Sequence, residues 1–144
     1  MLHFCVTIHA RPADATAGPA VQLAGGRFST LAVAPATLAA TLFDCTFEEA
    51  SERLEALERM FLEPDGSFVW TSSQSDQAWQ VDGNLYDRAG RLSFVDLNGC
   101  CPAGEFDRLL AAFGWPRTNF VFQLTREAIV LDEAEFRRIA SRAA

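Results

Sequence analysis

At 144 residues, with 49% hydrophobic and 22% charged side chains, the sequence has the size and composition of one globular domain with a core of its own. A formal net charge of −7, with no cluster of Lys or Arg, argues against nucleic acid as a partner. Four cysteines, Cys5, Cys45, Cys100 and Cys101, are too unevenly placed for a disulfide framework, so a reducing compartment, the cytoplasm, is the expected location.

The chain opens on "LHFCVTIHA", where Leu2, Phe4, Val6 and Ile8 alternate with His3, Cys5, Thr7 and His9. That is the period of a strand, and it lacks the basic region and apolar run of a signal peptide. "RPADATAGPA" reads as a loop, and "VQLAGGRFSTLAV" as two strands meeting at Gly25-Gly26. No Lys or Ser/Thr follows that glycine pair at the spacing of a phosphate-binding loop. The low-polarity run "TLAVAPATLAATLF" is too short to span a bilayer and is interrupted by Pro35, so no membrane partner is expected.

Thr46 and Glu49 form a T-x-x-E capping box. Phe47, Ala50, Leu54, Leu57 and Phe61 then line one face of an amphipathic helix that Pro64-Asp65-Gly66 ends. "SFVWTS" is a strand, "SSQSDQ" a polar loop, and Trp79 to Gly99 a hairpin. Pro102 suits the first position of a further helix with Phe106, Leu109, Leu110 and Phe113 on its apolar face. Gly114 is placed for a left-handed cap, with Trp115 packing back on Leu110. Two short strands, "NFVFQLT" and "AIVL", precede a last helix capped by Asp132, with Glu135 completing the box.

The predicted order is β-ββ-α-βββ-α-ββ-α, an α+β fold with an antiparallel sheet and helices mainly on one face. From Thr46 onward that order, with the acidic charge, resembles the small secretion-chaperone-like and YbjN-like α+β domains. The resemblance covers about the last hundred residues, rests on no motif, and implies a short interaction module that is usually dimeric. Residues 1–45 have no counterpart in that pattern, and no binding residue carries over.

Within the hairpin, Asp87 to Arg91 reads as a three-residue loop with Gly90 in the left-handed position. This register faces Tyr86 with Leu92, Asn84 with Phe94, Asp82 with Asp96 and Gln80 with Asn98, while Trp79, Val81, Leu85, Val95 and Leu97 line the core side. Two aspartates opposed at about 5 Å repel by roughly 0.8 kcal/mol at water's dielectric and about 3 kcal/mol at an effective value of 20. Three readings follow for Asp82 and Asp96: a wet sheet face, a partner-covered surface, or a divalent-metal or proton-sharing acid/base site. The apolar group Tyr86, Leu92 and Phe94 on the same side is the candidate binding surface, to be covered by the N-terminal strands, a second subunit or a protein partner.

Cys101 stands where a strand hands over to a helix, where the dipole acidifies a thiol. It is therefore a candidate reactive cysteine, although no C-x-x-C is present and a small buried residue is the plainer reading. His3 and Cys5 share a strand face about 6.6 Å apart, and two ligands do not make a metal site. The sequence holds no cofactor motif, and none is expected. The leading expectation is a non-enzymatic module for protein binding or self-association; a metal enzyme using Asp82 and Asp96, and a thiol enzyme using Cys101, are its rivals.

Overall fold

The computed structural model of the chain describes residues 1–73 and 77–142, and its framework follows the alternation of apolar residues along the strands. β1 (Leu2–Ala10) is followed by a hairpin of β2 (Thr16–Leu23) and β3 (Gly26–Ala32), then by α1 (Pro35–Ala40). α2 (Phe47–Glu55) leads into β4 (Met60–Leu62) and β5 (Ser67–Thr71), and β6 (Gln80–Arg88) and β7 (Arg91–Cys101) form the long hairpin. α3 (Ala103–Ala111), β8 (Phe120–Leu124), β9 (Val130–Leu131) and α4 (Glu133–Ala140) complete the described chain.

These strands join in one sheet, ordered β2-β3-β9-β8-β1-β7-β6-β5-β4, and each pairing is antiparallel. The fold is α+β, as the element pattern predicts. Residues 1–45 supply both the central strand β1 and the edge strand β2. One face of the sheet carries the main core. Phe4 of β1 lies 5.1 Å, ring to ring, from Phe106 of α3 and 6.3 Å from Phe136 of α4, and Phe122 of β8 stacks on Phe136 at 4.4 Å. α2 adds buried Ala50 and Leu54 to the same core, so α2, α3 and α4 all cover this inner face.

Local signals hold at the helix ends. Thr46 Oγ1 accepts from the Glu49 amide at 3.0 Å, while Glu49 Oε1 accepts from the Thr46 amide at 2.9 Å. Gly114 takes a φ of 109°, and the Trp115 amide donates back to the Leu110 carbonyl at 3.2 Å. At Asp132 only half of the expected box forms: its Oδ1 accepts from the Glu135 amide at 2.8 Å, but the Glu135 carboxylate turns to the Ser29 amide.

Four local expectations are corrected. α2 ends at Glu55 rather than near Phe61, because Asp65 Oδ1 accepts from the Ser67 amide and hydroxyl and Gly66 takes a φ of 96°, folding residues 60–71 into a hairpin. Phe61 is thereby moved from a helix face to the edge strand β4, where it is 65% exposed. The segment from Thr16 is strand rather than loop; Pro19 is tolerated there because β2 is an edge strand that needs no further ladder bond at that position. The turn beyond β2 is Ala24-Gly25, one residue earlier than Gly25-Gly26. Finally, Pro35 does not merely interrupt an apolar run but opens α1, where its missing amide hydrogen costs nothing. Part of the expected polar loop, residues 74–76, lies outside the described residues.

Gly99 lies in β7 with a φ of 140°, and a Cβ there would collide with the Gln80 carbonyl oxygen of β6. Gly99→Ala is therefore expected to destabilise the fold by about 2–3 kcal/mol, read as a lower urea midpoint with an unchanged m-value.

Candidate functional site on the outer sheet face

The opposite, outer face carries the alternate residues of the same strands. The register across five strands sets out a polar row of Gln123, Thr7, Asp96, Asn84 and Ser67. Beside it runs a second row of Cys5, Asn98, Asp82, Val69 and Phe61. On the other flank, Val121, His9, Phe94 and Tyr86 form an apolar and aromatic row. Among the described residues, α1 is the one helix that stands on this face. Its Leu38 packs with Val121 and Val130 in a small second core at the β9–β8 end.

The hairpin register differs from the expected one by two residues over most of its length. Its turn is Ala89-Gly90, both with positive φ, rather than a three-residue loop, and a bulge at Ser93 breaks the ladder between Tyr86↔Phe94 and Asp87↔Leu92. A shift of two leaves most side chains on their predicted faces. Leu92 is the exception. The segment before α2 clamps the hairpin tip through Phe43 N–H to the Leu92 carbonyl at 2.9 Å, Leu92 N–H to the Cys45 carbonyl at 3.1 Å, and the Arg91 guanidinium to the Phe43 carbonyl at 2.6 Å. Leu92 is thus fully buried in the main core and is not part of a binding surface.

Tyr86 and Phe94 stay outside and stack on each other at 4.3 Å between ring centroids. The other side of the Phe94 ring meets His9 at 5.9 Å, so the N-terminal strand supplies part of its cover.

Asp82 and Asp96 do not face each other. Asp82 pairs with Asn98 and Asp96 with Asn84, a diagonal arrangement whose backbone positions lie roughly 7–8 Å apart rather than the roughly 5 Å of a directly opposed pair. The wider spacing weakens the repulsion expected of opposed aspartates. Each already holds a partner: Thr7 Oγ1 donates to Asp96 at 2.7 Å, and Gln80 Nε2 donates to Asp82 at 2.8 Å. With Cys5, Asn84 and Asn98 they line a shallow depression of about 370 Å³. No group of three or more His, Cys, Asp or Glu side chains placed to hold a metal ion occurs among the described residues.

Cys101 is the last residue of β7, paired with Leu2 and fully buried, and the helix cap position belongs to Pro102. Burial pushes its thiol up to about 12, with the neighbouring Cys100 and Glu105 adding to the effect. A helix N-terminus thus fails to acidify it, because the side chain points into the core face rather than along the helix axis. Thiol labelling of the native protein at about pH 8 is expected at exposed Cys5 and half-buried Cys100, with Cys45 and Cys101 reacting only in denaturant; rapid native alkylation of Cys101 is the contrary result.

His9 was legible only as one member of an alternating strand. In the fold it is 8% exposed, its Nε2 lies 3.1 Å from Gln123 Oε1, and its Nδ1 is buried without a protein partner. Burial holds its pKa below the ordinary 6.5, against the opposing influence of Gln123 and of the Asp96 carboxylate. The unfolded chain therefore takes up the His9 proton first as pH falls. Stability from this group is complete above pH 6.5 and declines as the pH drops from there toward the folded value. His9→Phe is expected to flatten the fall in unfolding free energy as the pH drops below 6.5, and equal slopes for the two proteins would contradict this origin.

Comparison with family models, with curated proteins and with solved structures found no match. Among the described residues no helix is long and apolar enough to cross a membrane.

Proposed function

We propose that this chain is a non-enzymatic interaction module that associates through the uncovered part of its sheet, with a second copy of itself as the partner. The observation that carries this reading is the distribution of cover: among the described residues, α2, α3 and α4 protect the inner face, while the outer face from β1 to β4 has no helix on it. At its β4 edge, Phe61 is 65% exposed and its cross-strand neighbour Val69 is 38% exposed. A phenylalanine left in water forgoes roughly 2 kcal/mol of burial, and an edge strand offers unpaired amides and carbonyls beside it. Antiparallel pairing of two β4 edges would bury both features at once. Because β4 has three residues, few backbone bonds would form, and Phe61 and Val69 would provide most of the attraction. The element order also resembles small acidic domains that are usually dimeric.

Sedimentation velocity between about 1 and 100 µM tests this reading. The native chain is expected to sediment as a dimer in the upper part of that range. Phe61→Lys, on a side chain outside the core, should leave the unfolding midpoint unchanged and weaken association at least about tenfold. A monomer throughout, or a dimer indifferent to Phe61→Lys, overturns it.

A further inference from the structure

α1 is lightly secured to the sheet it covers. Its six residues are too few to form a helix that is stable alone, Ala34 at the N-cap offers no side-chain oxygen, and neither end carries a charge suited to the helix dipole. Leu38 is its one buried residue, while Pro35, Ala36, Ala39 and Ala40 are exposed. Among the described residues, no side-chain hydrogen bond or ion pair ties it to the sheet. The chain is fastened on either side of it instead, by Leu31 paired with Val130 and by the Phe43 amide donating to the Leu92 carbonyl at 2.9 Å. Residues 32–42 thus form a strap, fixed at both ends and held between them by Leu38.

The strap lies over the neighbourhood of His9. Leu38 packs on Val121, the residue directly across from His9 in the β1–β8 pairing, and Pro35, Leu38 and Ala39 share with His9, Phe94 and Gln123 the lining of a cavity of about 310 Å³. That space is loosely filled, so lifting α1 breaks few contacts. His9 is 8% exposed, with Nε2 engaged by Gln123 and Nδ1 buried without a partner. A second proton on the ring makes a buried charge and an N–H that lacks an acceptor, a state that is unfavourable until water reaches it. Two charged groups face the imidazole. Asp96 of β7 draws a proton toward it from a carboxylate already held by Thr7, and Arg88 of β6, exposed at the cavity rim, brings no acceptor. Gln123 of β8 and residues 32–42 of the strap carry no ionisable group.

We propose that α1 is an acid-released strap: when His9 takes up a proton, α1 lifts from the outer face and uncovers Leu31, Val121 and Val130 as an apolar patch, while the rest of the sheet stays folded. In the open form His9 recovers its ordinary affinity for a proton, which burial lowers in the closed form. Opening is therefore independent of pH well above 6.5 and favoured below it, by up to about tenfold for each pH unit while the closed form stays neutral. The same linkage runs in reverse, so loosening the strap must raise the affinity of His9 for its proton. The strap is remote from the β4 edge in the strand order, and it stands or falls independently of self-association.

Two NMR measurements on the full-length protein test this. The first is amide hydrogen exchange between about pH 7 and 5.5, corrected for the intrinsic pH dependence of exchange, at Leu38 and Thr41, whose amides close α1 on the Ala34 and Thr37 carbonyls. Their protection is expected to fall about fivefold over that range while the amides of β1 and β7 keep theirs, and to stay level in His9→Phe. The second follows the two histidines of the chain by their ring resonances. Leu38→Ala, which removes the one buried contact of the strap, is expected to move the His9 pKa up toward 6.5 and leave His3 in place. Protection of α1 that is absent at pH 7, that ignores pH, or that falls in step with β1 overturns the proposal. So does a His9 pKa unmoved by Leu38→Ala, a result that needs no substitution at His9 itself.

Discussion

The pairing of the first strand in the middle of the sheet is the constraint on which the rest of this structure depends. β1 joins β7 from Leu2 to His9 and β8 along its second half, although its partners lie more than eighty residues away in the chain. Its inner side chains then hold both C-terminal helices, since Phe4 touches the rings of Phe106 in α3 and Phe136 in α4. Removing β1 would separate the β2-β3-β9-β8 strands from the β7-β6-β5-β4 strands. Such distant pairing gains its contacts only after a long loop has closed, so the core of this fold is non-local by construction.

The same strand organises the outer face. Thr7 holds Asp96, and His9 lies between Phe94 and Gln123, so three rows that cross the β6–β7 hairpin end on β1 or β8. The bulge at Ser93 decides what those rows contain. It sends Leu92 inward to meet Phe43 and Cys45 and keeps Phe94 outside against Tyr86. The two aspartates that a regular three-residue turn would set opposite each other are separated into diagonal positions with carboxamide neighbours. The hairpin therefore eases its own charge conflict through register.

Cover on the two faces is unequal, and the unequal cover is where function is to be sought. Among the described residues, α2, α3 and α4 bury the inner face, whereas the short α1 stands outside and meets the sheet around Val121, Val130 and Leu31. From α1 toward β4 the outer surface changes from an apolar crevice, through a hydrogen-bonded polar band, to the exposed pair Phe61 and Val69.

Much of this was readable from local chemistry alone. The alternation of Leu2, Phe4, Val6 and Ile8, the Thr46–Glu49 box, the Gly114–Trp115 helix end and the Asp132 cap are each set by residues within a few positions of one another, and each appears as the sequence implies. The α+β class follows from their order. What the tertiary structure decided is whatever depends on distant partners. Phe61 left its helical pattern because a hairpin captured it, and Leu92 left the outer face because residues 43–45 clamped the turn. Cys101 lost its acidic thiol because the neighbouring strands and helices bury it. His9 became a buried imidazole with a lowered pKa only because Gln123 and Phe94, neither of them near it in sequence, pack against it. Short-range hydrogen bonding fixes helix ends and strand period, but register, burial and the shift of a pKa are properties of neighbours that the linear order does not name.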